Sequence, residues 1–352
     1  MKYRITATAP AKLILLGEHA VNRNQAALAL SLGLYATCTL SPSDGEGYLF
    51  ETNGPEQRSC LLSRADLHQL AYQVDGWLAH QDYARLQALV ARHFFAPAAY
   101  VLAAVEKQLP PGLRIRLSSA IPPSAGLGSG GAIFVALAAA LAELLGLSRS
   151  PEVIAGWAWR GDVLAHGGTA SGLDTQTSLW GGVIRYTLAR QAEPLSSVQV
   201  PSLVIGHCGI SASTSEVNAR VRSWLAEQPT RLHYFQEIGL LVELAEGCLR
   251  AADWPRLGYL LNLNQLILER IGVSCPALER LIEAALGAGA LGAKLSGSGG
   301  GGVMFALVTE ASLPAVREAL ADAGGQPMVL PLAVPGVSVQ KDPLSDPSMS
   351  LE

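Results

Sequence analysis

The glycine-rich stretch at residues 121–132, IPPSAGLGSGGA, constrains the fold of this chain most strongly. It follows a strand-like run at residues 113–117 and leads into an alanine- and leucine-rich run at residues 132–145, which predicts a helix ending at Gly146. Glycines leave the loop's backbone N–H groups open to an anion, and the helix dipole points its positive end at the same place. The pattern predicts a phosphate-binding loop between a strand and a helix.

The amino-acid sequence of this loop has to be compared with other glycine-rich motifs. It is not a Walker A loop, because no Gly-Lys-Ser/Thr sequence closes it. Gly126, Gly128 and Gly131 match Gly-x-Gly-x-x-Gly, but a dinucleotide-binding fold needs a second strand after the helix. Here Pro151 leads into another helix-like run, so that context is missing. A tight strand-to-helix turn without a ligand is the remaining alternative.

Composition limits the classes of partner. The chain has 352 residues, of which 49% are hydrophobic and 15% charged, so it can bury a large core in two lobes. The net charge is −4 and no run of lysine or arginine occurs, which argues against nucleic acid or an anionic membrane as a partner. The run at residues 132–145 is too short to span a bilayer, and Glu143 interrupts it.

Five scattered cysteines without a Cys-x-x-Cys pair favour reduced thiols over a disulfide framework or a zinc site. The apolar run at residues 13–16 is too short for a signal peptide. We therefore expect a cytoplasmic protein.

Hydrophobic periodicity predicts an α+β chain, because strands and helices alternate without regular βαβ spacing. The predicted strands lie at residues 3–8, 12–16, 35–40, 48–51, 113–117, 180–186, 202–206, 293–295, 303–308 and 328–332. The predicted helices lie at residues 64–80, 82–108 with a break near residues 96–97, 132–145, 152–165, 215–227, 232–252, 257–271, 276–288 and 313–323. Residues 341–352 are polar with two prolines, which predicts a disordered tail.

Four motifs follow one another along the chain, and their order is more informative than any one of them. They are Pro10-Ala-Lys12 with Gly17-Glu-His19, then Gly126-Leu-Gly-Ser129, then Ser171-Gly-Leu-Asp174, then Lys294-Leu-Ser-Gly-Ser-Gly-Gly-Gly301. Over residues 5–333 this order resembles the GHMP kinase superfamily. Within the superfamily the chain is most similar to the mevalonate kinases, at residues 9–21, 262–274 and 293–302.

The resemblance implies a two-lobed α+β GHMP kinase fold. A lobe like domain 2 of ribosomal protein S5 would cover residues 1–190 and carry the ATP site, and a ferredoxin-like lobe would cover residues 191–340. The implied reaction is the ATP- and Mg²⁺-dependent phosphorylation of (R)-mevalonate to 5-phosphomevalonate in isoprenoid precursor biosynthesis. A related kinase acting on phosphomevalonate, on the 3-hydroxyl of mevalonate or on another small alcohol is the alternative, as is a non-catalytic ATP-binding sensor. A homodimer stays open.

The resemblance also assigns roles to individual residues. Asp174 matches the catalytic aspartate and Lys12 the lysine beside it, which would keep the carboxylate ionised and stabilise charge on the transferred phosphoryl group. The residues that match the ATP loop are Pro123, Ser124, Ala125, Gly126, Leu127, Gly128, Ser129 and Gly130. The residues that match the acceptor site are Glu18, His19, Ala20, Val21, Lys294, Ser296, Gly297, Ser298 and Gly299.

The chain departs from the family at its metal ligands. Gly130 stands where the family often has a second serine that binds Mg²⁺, which leaves Ser129 as the hydroxyl ligand. Asp162 stands where the family has a glutamate, four residues before His166, and we assign it as the metal carboxylate. For four of these residues a non-functional role stays open: Asp174 as a helix cap, Asp162 as a solvated acid, and His19 and Lys294 as structural residues.

Overall fold

The computed structural model describes residues 3–53, 57–147 and 150–344. Its strands are β1 (Tyr3–Leu16), β2 (Ala27–Pro42), β3 (Tyr48–Thr52), β4 (Ser59–Leu62), β5 (Leu113–Ser119), β6 (Val183–Thr187), β7 (Gln191–Pro194), β8 (Leu203–His207), β9 (Gly292–Ser296), β10 (Val303–Leu307), β11 (Gln326–Met328) and β12 (Ser338–Pro343). Its helices are α1 (Arg64–Ala79), α2 (Tyr83–Arg92), α3 (Ala96–Ala103), α4 (Ser129–Leu144), α5 (Pro151–Ala165), α6 (Leu173–Trp180), α7 (Thr214–Glu227), α8 (Leu232–Ala251), α9 (Trp254–Ile271), α10 (Pro276–Gly287) and α11 (Leu313–Asp322).

The strands form two sheets. In the first, the order is β12-β1-β2-β5-β3-β4, and β6 pairs with β2 and β7. In the second, the order is β11-β8-β10-β9 with antiparallel neighbours. Helices connect β8 to β9 and β10 to β11, so this sheet has the ferredoxin-like arrangement that the sequence predicts. The α+β prediction is confirmed.

Strand β1 is continuous, whereas the sequence predicts a break at residues 9–11. The register with β2 shifts between Pro10 and Ala11, so the proline sits at a β-bulge rather than ending the strand. A proline is tolerated there because a bulge does not require every ladder hydrogen bond. Lys12 lies two residues after Pro10 in the same strand.

Helix α4 lies at the centre of the first lobe and contacts β1, β2 and α5. Its residues from Phe134 to Ala142 are all buried, as expected for a helix that is apolar on every side. It begins at Ser129, three residues before the predicted start, because Gly128 adopts a left-handed conformation that turns the loop into the helix.

The segment at residues 332–343 returns to the first sheet. Strand β12 pairs with β1, and isolated bridges join Leu32 to Leu332 and Gly181 to Pro335. The predicted disordered tail therefore starts too early, since residues 341–343 are held in β12 by β1; residues 345–352 lie outside the described ranges. Strand β7 also belongs to this sheet, so the first lobe extends past residue 190. It also includes β12, which follows β11 in the chain.

In the described ranges, no single helix is both long and apolar enough to cross a bilayer. Helices α2 and α3 meet that test only when taken together, and they are bent by 110° relative to each other. The five cysteines carry free thiols.

Candidate active site

A cleft of about 660 Å³ gathers residues from both lobes. Its walls come from β1 and the turn after it, from α5 and the loop before α6, from α7 and from the glycine turn after β9. Nine of the residues that the sequence singles out line it: Lys12, Glu18, His19, Val21, Gly126, Asp162, Asp174, Gly297 and Ser298.

Lys12 and Asp174 form an ion pair in this cleft. The distance from Lys12 Nζ to Asp174 Oδ1 is 3.2 Å, and the lysine side chain is 3% exposed while the aspartate keeps 24%. The backbone N–H of Lys12 donates to the carbonyl of Leu127 at 3.0 Å, which ties β1 to the glycine loop. Asp174 is not the N-cap of α6, because that position belongs to Gly172. The arrangement leaves a carboxylate that is held by a buried cation and still open to a ligand.

The glycine loop packs directly against this pair. A Cβ atom at Gly128 would lie 2.8 Å from Cγ of Lys12, and one at Gly131 would lie 2.8 Å from Cβ of Asp174. No side chain caps the N-terminus of α4, so the N–H groups of its first turn are available to an anion. The loop, the helix terminus and the charged pair therefore meet at one place.

Glu18 and Lys294 form a second ion pair, which joins the lobes. Both side chains are 0% exposed, and Lys294 also donates to the carbonyl of Leu295 at 2.6 Å. Burial raises the pKa of Glu18 and lowers that of Lys294, and their mutual attraction opposes both shifts. Oε2 of Glu18 is buried without a hydrogen-bond partner, although Glu18 lines the cleft.

Comparison with known proteins identifies this arrangement. The family models for the N-terminal domain and the C-terminal domain of GHMP kinases match residues 93–182 and 244–326. A mevalonate kinase of Thermococcus sibiricus is 33% identical over 343 residues, which cover 96% of this chain and 98% of that protein. The chain belongs to the GHMP kinases.

Solved structures agree with this assignment. The crystal structure of L. major mevalonate kinase in complex with R-mevalonate is 27% identical to this GHMP kinase, with a TM-score of 0.71 over 93% of this chain and 95% of that one. Lactococcus lactis galactokinase complexed with galactose has a TM-score of 0.75 at 16% identity, with 95% of each chain covered. The second likeness supports the fold alone.

In this GHMP kinase, Gly128→Ala should lower catalytic activity by more than the backbone strain of the substitution alone would cause. Its φ of 74° disfavours any side chain, and the added methyl group would collide with Lys12. We expect kcat/KM for ATP to fall at least tenfold. Gly146→Ala is the matched control, because Gly146 has a φ of 64° and nothing within 4 Å of its Cβ position. Steady-state kinetics with equal losses in the two variants would show that the contact with Lys12 is unimportant.

His19 lies next to Glu18 and faces the glycine turn after β9. Its Nε2 atom is 2.9 Å from the carbonyl oxygen of Ser298. The backbone carbonyl of His19 accepts a hydrogen bond from Arg23 at 2.8 Å. Burial lowers the pKa of His19 to about 4, an effect that the hydrogen bond to Ser298 opposes. The ring is therefore neutral at pH 7 and contacts both lobes of the kinase.

This pKa gives a pH dependence of stability. The folded pKa of His19, about 4, lies below the ordinary value of 6.5, so the folded state binds fewer protons than the unfolded state between these pH values. The stability that neutral His19 contributes is fully present above pH 6.5 and should be lost as the pH falls toward 4. The total loss in the free energy of unfolding is about 3 kcal/mol. Urea unfolding of His19→Asn should show a shallower pH dependence over this range. Identical slopes for the two proteins would contradict the assignment.

Asp162 is buried in the cleft wall beside His166. Its Oδ1 atom lies 3.2 Å from His166 Nδ1, without hydrogen-bond geometry. Burial alone would lower the pKa of His166, but the carboxylates of Asp162 and Asp174 raise it to about 9. Asp162 is therefore not a solvated acid, because its carboxylate is buried and faces the imidazole of His166. Ser129 does not line the cleft, and its hydroxyl contacts that of Ser119 at 3.2 Å.

Other predicted site residues lie behind or beside the cleft. The hydroxyl of Ser296 donates to the carbonyl of Ile14 at 3.1 Å and accepts from its N–H at 3.0 Å, so it joins β9 to β1 and is not free for an acceptor. Those outside the lining are Ala20, Lys294, Ser296 and Gly299 from the acceptor set, and Pro123, Ser124, Ala125, Leu127, Gly128, Ser129 and Gly130 from the nucleotide set.

Sequence reasoning missed several polar groups in the cleft, among them Arg23, Asn218 and Arg222. Arg23 lies four residues after His19, and Asn218 and Arg222 share one face of α7 with Thr214 at a spacing of four residues. The spacing on α7 could have been noticed, whereas the meeting of Arg23 with Arg222 depends on the packing of the two lobes. Trp159 is 45% exposed and also lines the cleft.

Proposed function

We propose that this GHMP kinase transfers the γ-phosphoryl group of ATP to the C5 hydroxyl of (R)-mevalonate, giving ADP and 5-phosphomevalonate, and that it serves isoprenoid precursor synthesis in the cytoplasm. The observation that carries the proposal is the ion pair of Lys12 and Asp174 against the glycine loop. The identity to mevalonate kinases over nearly the whole chain supports this acceptor.

The chemistry follows from the geometry of the pair. Asp174 accepts the proton of the acceptor hydroxyl, or orients it, as the oxygen attacks phosphorus and the bond to the β-phosphate oxygen of ATP breaks. Lys12 pairs with Asp174 and stabilises negative charge on the transferred group. Phosphoryl transfer requires mostly positioning and charge neutralisation, so no covalent enzyme intermediate is needed.

The nucleotide phosphates would lie against the N–H groups of residues 123–130 and of the first turn of α4. Asp162 is the carboxylate that we propose for Mg²⁺, since it lines the cleft and its Oδ1, which faces His166 Nδ1 at 3.2 Å, has no hydrogen-bond partner among the described residues. In the described ranges no cluster of three metal-ligating side chains occurs, which suits an ion held mainly by phosphate oxygens and water. When bound, Mg²⁺ would neutralise charge on the phosphates.

The far wall of the cleft favours an anionic acceptor. Arg23 and Arg222 both line it, and no described carboxylate forms an ion pair with either. A hydroxy acid such as mevalonate fits this charge better than a neutral sugar does. The same observation supports phosphomevalonate as a second candidate acceptor, because a phosphate group also suits two arginines.

A coupled assay for ADP release tests the acceptor. The panel contains mevalonate, 5-phosphomevalonate, homoserine and galactose, each with ATP and Mg²⁺. We expect turnover of mevalonate with a kcat/KM at least a hundredfold above the others. Turnover of phosphomevalonate alone would select the second candidate, and ATP binding without turnover of any acceptor would leave a nucleotide-binding sensor.

A further inference from the structure

Arg23 is held rigidly at the edge of the cleft. Its NH1 group donates to the carbonyl of His19 at 2.8 Å, and its guanidinium lies over the ring of Phe235, 4.0 Å from the centroid. Its Nε atom is buried without a hydrogen-bond partner among the described residues. The side chain is therefore oriented by the acceptor motif and by α8, and part of its hydrogen-bonding capacity is unused.

Arg222 brings a second positive charge to the same wall. It is an exposed residue on the face of α7 that lines the cleft. Burial lowers the pKa of Arg23, and the positive charge of Arg222 lowers it further. The two guanidinium groups therefore repel each other electrostatically. Like charges held together are unfavourable unless an anion joins them.

The carboxylates of the cleft are already engaged elsewhere. Asp174 pairs with Lys12, Glu18 with Lys294, and Asp162 with His166. Arg23 and Arg222 are thus the cations of the lining for which the described residues supply no carboxylate. An anionic ligand bound in the cleft would supply this negative charge.

We infer that Arg23 is a specificity-determining residue, which binds the carboxylate of the acceptor together with Arg222. This inference rests on the proposed function, because it assigns one end of the acceptor while Lys12 and Asp174 hold the reacting end. Arginine presents a planar set of donors that matches a carboxylate, and the contacts to His19 and Phe235 orient that set before binding. A site built in this way discriminates strongly against an isostere that lacks the anion.

The test compares mevalonate with 3-methylpentane-1,3,5-triol, in which a neutral CH₂OH group replaces the carboxylate. For Arg23→Met we expect KM for mevalonate to rise 10- to 100-fold, kcat to change less than threefold, and kcat/KM for the triol to stay as in the wild type. Arg222→Met should act in the same direction, and the double variant should lose less than the product of the single losses because both groups bind one anion. Arg280→Met is the control, since it removes an exposed cation from α10 outside the cleft.

The possible outcomes separate this inference from the proposed function. Equal losses with mevalonate and the triol would mean that Arg23 only supports the fold, and an unchanged KM for mevalonate would also overturn the inference. Absence of mevalonate turnover by the wild type would overturn the proposed function instead. Arg23→Lys keeps the charge without the planar donors. Its KM for mevalonate should therefore rise, while its kcat/KM for the triol should stay as in the wild type. This variant decides the question if Arg23→Met does not fold.

Discussion

Replacing Asp174 by asparagine is expected to lower kcat by roughly 10³- to 10⁴-fold, which corresponds to about 4 to 5.5 kcal/mol of transition-state stabilisation. The substitution keeps the shape of the side chain but removes the negative charge that faces Lys12 at 3.2 Å. The neutral amide cannot accept the hydroxyl proton, and the buried lysine loses its counterion. Affinity for ATP should change little, because in the proposed function the phosphates lie against the loop and α4 instead.

Three measurements on this variant separate catalysis from folding. Steady-state assays give kcat, titration with a non-hydrolysable ATP analogue gives the nucleotide affinity, and thermal unfolding gives the change in Tm. Asp322→Asn at the exposed end of α11 is a matched control and should behave as the wild type. A kcat within threefold of the wild type in Asp174→Asn would remove Asp174 from the mechanism.

Replacing Lys294 by methionine is expected to lower the free energy of unfolding by about 3 to 5 kcal/mol. The change leaves the carboxylate of Glu18 buried between the lobes without its cation, and Oε2 of that group already lacks a partner. The lost attraction of Lys294 should raise the pKa of Glu18 further, because that attraction opposes the effect of burial.

Urea unfolding at neutral pH measures this loss, and two further variants interpret it. Glu18→Gln combined with Lys294→Met removes both charges and should recover much of the stability, since a neutral pair carries no buried ion. Lys341→Met breaks a surface pair with Glu143 at 3.7 Å and should cost less than about 1 kcal/mol. A small loss for Lys294→Met, similar to that of Lys341→Met, would argue against a stabilising role for the buried pair.

The sequence predicts those features that depend on local chemistry. The apolar run that forms α4 and the glycines before it indicate a buried helix behind an anion-binding loop, and the structure contains that arrangement. The order of the motifs indicates the fold and brings Lys12 and Asp174 together, although they lie on β1 and α6. Residue types and spacing are sufficient for the loop and its helix, whereas the pairing of Lys12 with Asp174 was predicted from the resemblance that the order of the motifs carries.

Features that depend on the packing of distant segments were not predictable in the same way. The break expected at Pro10 is a bulge, since pairing with β2 on one side and β12 on the other holds the strand together. The hydroxyl of Ser296 looks available in the motif, but its hydrogen bonds to Ile14 exist only once the two sheets meet. Arg23 and Arg222 are isolated cations in the sequence and become neighbours only in the folded cleft.

The central claim is that the Lys12–Asp174 pair directs a phosphoryl group to the primary hydroxyl of mevalonate. Phosphorus NMR of the isolated product tests it most directly, because coupling to the neighbouring protons reports the position of the new ester. The account predicts a single new phosphoester signal, split into a triplet by the C5 methylene protons. An unsplit signal would place the phosphate on the tertiary C3 oxygen and contradict the proposed function, as would the absence of any phosphorylated mevalonate.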